Sequence, residues 1–292
     1  MPENHNITEP FSDRIRLNLR DDCEKCFGLC CVALPFAASA DFAVDKSAAE
    51  PCRNLQTDFR CGIHNSLRQQ GFKGCTVFEC FGAGQKVSQA TFNGHNWRQA
   101  PDSAKQMFEV FPIMRQLHEL LWYLTESLSL QPAHPIHGAL RVALDETDHL
   151  TQLSPDSLMK LDVAAHRAKI NALLLRTSEL VRAEFLNQRK GPSGKQKTYG
   201  RGADLIGAKL RGADLRGANL RGSYLIAADL TGADLRGADL IGADFRDADI
   251  SGANLTDSIF LTQTQINASK GDADTKLPPS LTRPTHWSTY GA

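Results

Sequence analysis

No cysteine follows position 80, although eight lie between Cys23 and Cys80 inclusive. Neither sign of charge prevails, since Lys plus Arg and Asp plus Glu each number 33. The balance excludes a global field steering the chain toward nucleic acid or an anionic membrane, so any such binding has to be local. No apolar run approaches the ~20 residues of a membrane span, and Met1 to Pro10 lacks the apolar stretch of a secretory signal. These absences predict a cytoplasmic protein. No His-Glu-x-x-His spacing places two metal ligands on one helical face. What remains, 292 residues with 41% hydrophobic content, suffices for two domains with buried cores.

From Ala203 to Thr262 one five-residue phrase, commonly Ala-Asp-Leu-Arg-Gly, recurs twelve times without insertion. Its central position is filled by Leu205, Leu210, Leu215, Leu220, Leu225, Leu230, Leu235, Leu240, Phe245, Ile250, Leu255 and Phe260. Two residues before each stands a small one, Ala throughout except at Ser223 and Ser258. A period of five fits neither the 3.6 of a helix nor the 2 of a strand, and either reading would scatter the leucines over every face. A coil of short straight sides and regular corners keeps them inside. These residues resemble the pentapeptide-repeat family, and the resemblance implies a right-handed quadrilateral β-helix with one pentapeptide per side. Twelve repeats then give three coils, about 14 Å tall at the spacing of stacked backbone.

Eight cysteines in 58 residues read as a site. In a reducing compartment thiols this dense are metal ligands more often than disulfides. The order is Cys23-x2-Cys26-x3-Cys30-Cys31, then Cys52, Cys61, Cys75 and Cys80. A pair two residues apart grips one ion from a single turn, and distant cysteines complete the sphere. Eight thiols allow two zinc ions, an iron-sulfur cluster, or one site with spare thiols. Pro51-Cys52-Arg53-Asn54-Leu55, Arg60-Cys61-Gly62-Ile63-His64 and Cys75-Thr76-Val77-Phe78-Glu79-Cys80 resemble a cysteine-cluster family described as zinc- or iron-chelating. That family opens Cys-x2-Cys-Gly-x-Cys-Cys, whereas Phe27-Gly28-Leu29 intervenes here, and its Arg-Pro before a later cysteine is absent. The alternative reading makes some thiols small buried hydrophobes, one of Cys30 and Cys31 among them, and His64 a structural or surface histidine.

The chain therefore divides into a cysteine-rich metal module at 1–95, a helical region at 96–188, a linker at 189–201, the β-helix at 202–267 and a cap and tail at 268–292. Ile15, Leu17 and Leu19 alternate with polar residues as a short strand or arm. Pro101-Asp102-Ser103 opens a helix with apolar residues from Met107 to Leu128, which Pro112 is placed to kink. A second helix is expected near Leu140 to Leu150, and Ser154-Pro155-Asp156 opens a long third one through Phe185. In the cysteine module the metal, rather than a sheet, is expected to form the core. Lys190-Gly191-Pro192-Ser193-Gly194-Lys195 is a basic linker, and the prolines from Pro278 end the β-coil, leaving a tail that caps and then frays.

His118, His134, His137, His149 and His166 read as solvated or capping residues, and Asp145, Glu146 and Asp148 as a polar helix face. Nine Asp against six Lys or Arg between 203 and 262 disfavour mimicry of duplex DNA. Arg216 and Arg236 stack beside Asp214 and Asp234 as a self-neutralising face. Ile206, Tyr224 and Ile226 form an outward stripe expected to dock on the preceding helix or on a second copy, and Ile241, Ile259 and Leu261 a second outward set. The sequence thus describes a metal-binding interaction protein, leaning away from catalysis, with zinc or an iron-sulfur cluster and a protein partner, monomeric or homodimeric. An iron-sulfur redox sensor or electron carrier is the alternative, as is a target-protection factor for a nucleic-acid enzyme.

Overall fold

The computed structural model describes residues 18–187 and 199–289. Ile15 and Leu17 of the expected arm, and the linker through position 198, lie outside them. The helices are, in chain order, α1 (Leu29–Val32), α2 (Lys73–Thr76), α3 (Ala83–Gln85), α4 (Pro101–Ser129), α5 (His137–Leu150), α6 (Pro155–Met159), α7 (Val163–Asn187) and α8 (Gln263–Ala268). Two compact units emerge. Among the described residues, one comprises 18–72, 80–129 and 136–174, the other 73–79, 130–135, 175–187 and 199–289. None of the described helices is long and apolar enough to cross a membrane.

The first unit is built around α4. Its Met107, Val110, Phe111, Met114, Leu117 and Leu121 recur at helical spacing and are buried, packed with Leu140 and Leu144 of α5 and Leu158 of α6. Pro112 lies inside α4 and the helix continues through it. The long third helix expected from Ser154 is two helices. Ser154 caps α6 as anticipated, its Oγ accepting from the Ser157 N–H at 3.3 Å. The chain then leaves helical geometry, and Asp162 Oδ1 caps a new start by accepting from the Ala165 N–H at 2.9 Å. A competing cap inside an otherwise apolar-periodic run explains the break.

The cysteine-bearing part has an apolar core of its own, contrary to the expectation of a metal core. Phe36 stacks on Phe42 at 4.4 Å between ring centres and meets Phe72 edge-on. Phe27, Phe59, Trp97 and Phe108 form a second chain of ring contacts. Leu19, Leu29, Val32 and Phe81 are buried with them.

In the second unit, parallel bridges join residues twenty apart, from Asp204–Tyr224 and Lys209–Asp229 to Asp239–Ile259. Leu205 N–H donates to Tyr224 O, and the Tyr224 N–H donates to Ala203 O, a pattern that recurs at successive repeats. Each bridge is one residue wide because a corner follows within the same pentapeptide. The central Leu, Ile and Phe residues are all buried, making this region a β-helix around a continuous apolar core. Ala228, Ala233, Ala238, Ala248 and Ala253 are wholly buried, so a larger side chain has nowhere to go. Ser223 and Ser258, the two exceptions, satisfy their hydroxyls by donating to Leu220 O and Leu255 O.

The aspartates of the repeat turn the corners. Asp214 and Asp234 accept from the N–H two residues on, at 3.2 Å, and Asp204, Asp229, Asp239, Asp244 and Asp249 repeat the contact. This is the turn chemistry that makes Asp and Asn favourable there.

After the repeats α8 begins with a capping box between Thr262 and Gln265. Two further bridges follow, Asp249–Lys270 and Asn254–Lys276. The tail is ordered rather than frayed through 289. Trp287 is buried, donates from Nε1 to Ser269 O at 3.0 Å, and lies where a Cβ on Gly271 would stand.

The helix segment 175–187 covers a face of the β-helix different from the expected one. Arg182 Nε donates to Gly217 O at 2.9 Å, and Phe185 packs onto Gly237, where any Cβ would strike its ring. Both glycines sit at positive φ, so two constraints coincide there. Ile259 and Leu261 are buried rather than outward. Ile206 and Tyr224 stay exposed at 58% and 51%, and the expected docking of their stripe on this helix does not occur.

Candidate functional site

The thiols of the first unit are positioned by local turns. Asp22 caps a short 3-10 turn, Cys23–Lys25, by accepting from the Glu24 N–H. Gly28, at φ 66°, then starts α1 with Cys30 and Cys31, and a Cβ on it would stand 2.8 Å from Phe59 O. That contact ties α1 to the hairpin 55–61, in which Leu55 and Cys61 form an antiparallel bridge. The Cys52 N–H donates to Cys31 O and the Leu55 N–H to Cys52 O, each at 2.9 Å, fixing Cys52 and Cys61 relative to α1. Cys80 precedes α3 and α4, and Gly84 is small because a Cβ there would lie 2.7 Å from Cys26 Sγ and 3.8 Å from Cys80 Sγ. Cys75 belongs to the other unit.

The result is a set of close thiol pairs. Cys30 Sγ and Cys31 Sγ are 3.9 Å apart, and Cys80 Sγ lies 3.2 Å from Asp21 Oδ1. Burial pushes the Cys26 thiol up to about 11, against the pull of the Leu29 and Gly28 N–H groups. Burial likewise pushes Cys23 up to about 11, with the Cys30 and Cys26 sulfurs adding to it. It raises Cys80 too, opposed by the Gly84 N–H. The hydrogen bond with Cys31 pulls Cys61 down to about 6, helped by the Ile63 N–H, while hydrogen bonds to Cys30 and Cys61 push Cys31 up.

Among the described residues no three Cys, His, Asp or Glu side chains converge closely enough to hold an ion. The donors nevertheless suit one. Tetrahedral zinc-thiolate bonds of 2.3 Å put sulfurs about 3.8 Å apart, the 3.9 Å of Cys30 and Cys31 matches it, and N–H groups aimed at Cys26 and Cys80 oppose, without overcoming, the burial that raises those thiols.

Lys46, which the sequence reading passed over, anchors the same neighbourhood. Its Nζ donates to Val32 O, Ser47 O and Glu50 O at 3.1, 2.9 and 2.8 Å. The side chain is buried, which pushes its ammonium below the usual lysine range. A lysine amid Asp45 and Ser47 gives no sequence signal of burial. Arg98 closes the other side, donating to Thr57 O and Gln56 O and lying over Phe59 and Trp97.

His118 and His166 correct the expectation of solvated or capping histidines. His118 is buried with Nδ1 2.7 Å from Phe81 O, and burial pushes it down to about 4. His166 Nε2 lies 2.9 Å from Thr147 Oγ1, with Glu146 Oε1 4.0 Å from Nδ1. That arrangement has the outline of a nucleophile, base and acid, yet Thr147 is fully buried and its hydroxyl donates to Ala143 O within α5. The hydroxyl is spent on helix packing and reaches no substrate.

The pentapeptide-repeat family model matches residues 201–237 and 223–260, counting eight copies. Along nearly its whole length the chain resembles a protein of Bacillus subtilis (strain 168) carrying the name Uncharacterized protein YybG, 62% identical over 275 residues, 94% of this chain and 97% of that one. Among solved structures, a pentapeptide repeat protein of the Arabidopsis thaliana thylakoid lumen is 29% identical, covering 33% of this chain and 68% of that one at a TM-score of 0.16. HetL, a pentapeptide repeat protein involved in heterocyst differentiation regulation in the cyanobacterium Nostoc, is 31% identical over 26% of this chain and 46% of its own, at a TM-score of 0.12.

Proposed function

Because this chain belongs to the same family as the Bacillus subtilis protein YybG and carries pentapeptide repeats, we propose that it is a metal-binding, non-enzymatic interaction protein. In this reading the repeats form a right-handed, four-sided tower of three coils that serves as a rigid docking surface. The observation that carries the metal half is the crowding of thiols in one unit, with the Cys30 and Cys31 sulfurs 3.9 Å apart and Gly84 left bare beside the Cys26 and Cys80 sulfurs, near Cys23 and Cys61 in the same unit. These sulfurs, with Cys52 held beside Cys31 by the main chain, would hold zinc or an iron-sulfur cluster. A bound ion would supply cross-linking between the 23–31, 52–61 and 80–84 segments. Gly84 leaves room for two sulfurs, and Lys46 holds the α1 to Glu50 main chain in place. The exposed Ile206 and Tyr224 are what support docking, since large apolar side chains side by side on a rigid face are recognition elements.

Elemental analysis of full-length protein purified without oxygen tests the metal half. Stoichiometric zinc is the expected result. Iron with acid-labile sulfide and a brown colour would turn the reading to an iron-sulfur protein, and eight freely titrating thiols with neither metal would end it.

A further inference from the structure

The main chain that carries the thiols is held by side chains that are not themselves ligands. Gln85, Ser88, Gln89 and Trp97 cradle the 20–27 loop. Gln85 Oε1 accepts from the Asp22 N–H at 3.2 Å, and its Nε2 donates to Arg20 O at 2.6 Å. The wholly buried Ser88 accepts at Oγ from the Phe27 N–H at 3.0 Å. Gln89 Nε2 donates to Lys25 O and Trp97 Nε1 to Phe27 O, each at 2.8 Å. These bonds end on main-chain atoms flanking Cys23 and Cys26, and Ser88 and Gln89 stand in a π-helix, Lys86–Thr91, a form found mostly at functional sites. On the other side Lys46 joins Val32 O, just after Cys31, to Glu50 O, just before Cys52, and the Cys52 N–H donates to Cys31 O. With the ring contacts of Phe27, Phe59, Trp97 and Phe108 behind them, the loops have a shape that owes nothing to sulfur. In a zinc finger no such core stands behind the ligands, and metal binding and folding are one event.

We propose that zinc is an exchangeable cargo of this unit rather than its staple. The proposal rests on the metal-binding reading above and specifies how that site is used: the loops keep their shape as zinc enters and leaves, and the unit stays folded throughout. A loop ordered in advance spares binding the cost of ordering it, so Gln85, Ser88, Gln89 and Lys46 act as positioning residues for the site. Cys23 and Cys30 are exposed, which puts ligand sulfurs where a small thiol can reach them. Exchange is then ligand for ligand. The displaced Cys23 or Cys30 sulfur takes up the proton that the incoming thiol gives up, and no electron moves.

The experiment uses full-length protein handled without oxygen, loaded with zinc alone, and followed by amide hydrogen exchange before and after a chelator removes the ion. A parallel sample is offered isotopically enriched zinc, and the swap is timed by mass spectrometry. The expected result is that the Asp22, Phe27 and Cys52 amides stay protected after chelation, and that the bound isotope is replaced faster than the unit unfolds. Ser88→Ala with Gln89→Ala should weaken zinc binding by about 10-fold and make protection of the Phe27 amide depend on zinc. Loss of protection at Phe27 and Cys52 on chelation, isotope replacement no faster than unfolding, or a double variant that binds zinc as tightly as the wild type would overturn the proposal and leave the metal reading standing. Protein that takes up no zinc would end both. Because the wild type decides the main result, a variant that fails to fold does not shield it.

Discussion

Arg221 Nη1 lies 3.0 Å from Asp239 Oδ2 in the β-helix, and their side chains are only 5% and 0% exposed. Burial holds the Asp239 carboxyl above the ordinary range and Arg221 pulls it back, with Ser178 and Arg182 of α7 facing the same carboxylate. Removing one member strands the other's charge, at a cost of about 3 to 5 kcal/mol. Asp239→Ala should therefore lower the denaturation midpoint more than the double change Arg221→Met with Asp239→Leu. Urea unfolding of the three proteins makes the comparison, and a double variant as unstable as the single would refute it.

The apolar interior tolerates neither charge nor bulk. Leu220 and Ala238 are wholly buried, so Leu220→Asp buries an unpaired carboxyl and Ala238→Leu overpacks, the latter by about 1 to 3 kcal/mol. Ala218 is only half-buried, beside the opening rungs, and Ala218→Leu should cost less. Thermal unfolding that ranked Ala218→Leu above Ala238→Leu would contradict this gradient.

Trp287 closes the far end. Truncating a buried Trp costs about 3 to 5 kcal/mol, and Trp287→Ala also leaves the Ser269 carbonyl without its indole donor. Hydrogen exchange should accelerate around Ile266 to Thr275 while the amides of the opening repeats, such as Leu205 and Leu210, keep their protection.

His118 sets an acid limit on the first unit. Its pKa falls from 6.5 to about 4 on folding, chiefly through burial, with Lys86 adding to the shift. The unfolded chain then binds more protons between these values, so stability is complete above pH 6.5 and declines as pH falls toward 4, by about 3 kcal/mol in all. His118→Gln should flatten that part of the stability profile, and an unchanged slope would show the titration lies elsewhere.

The repeat was legible because twelve central residues at one constant spacing leave one arrangement that buries every leucine. The helices at 101 and 155 were legible from caps and apolar period. Which outward face of the tower would be covered was not. Pattern marked Ile206 and Ile226 as the sticky stripe, whereas 175–187 settles where Gly217 and Gly237 let Phe185 approach, over a column containing the charged Asp239. Absence of side chains at two corners is a weak sequence signal, and a charge says nothing of its burial until a partner such as Arg221 is found in space. The same holds for Lys46, whose partners are three carbonyls that no sequence pattern marks. The cysteine neighbourhood was visible as composition, while its pairing through α1 and the hairpin depended on main-chain contacts.

The bridge interval, constant at twenty through the repeats, becomes 21 at Asp249–Lys270 and 22 at Asn254–Lys276. A stack of identical rungs is a template: its last rung offers the next molecule the same hydrogen-bonding lattice that each rung offers its neighbour. By losing step by one residue and then two, inserting α8 and seating Trp287, the chain ends in a surface that no longer matches its beginning. Head-to-tail growth into a fibre is thereby denied a commensurate seed, and the periodicity that folds the tower stops short of polymerising it.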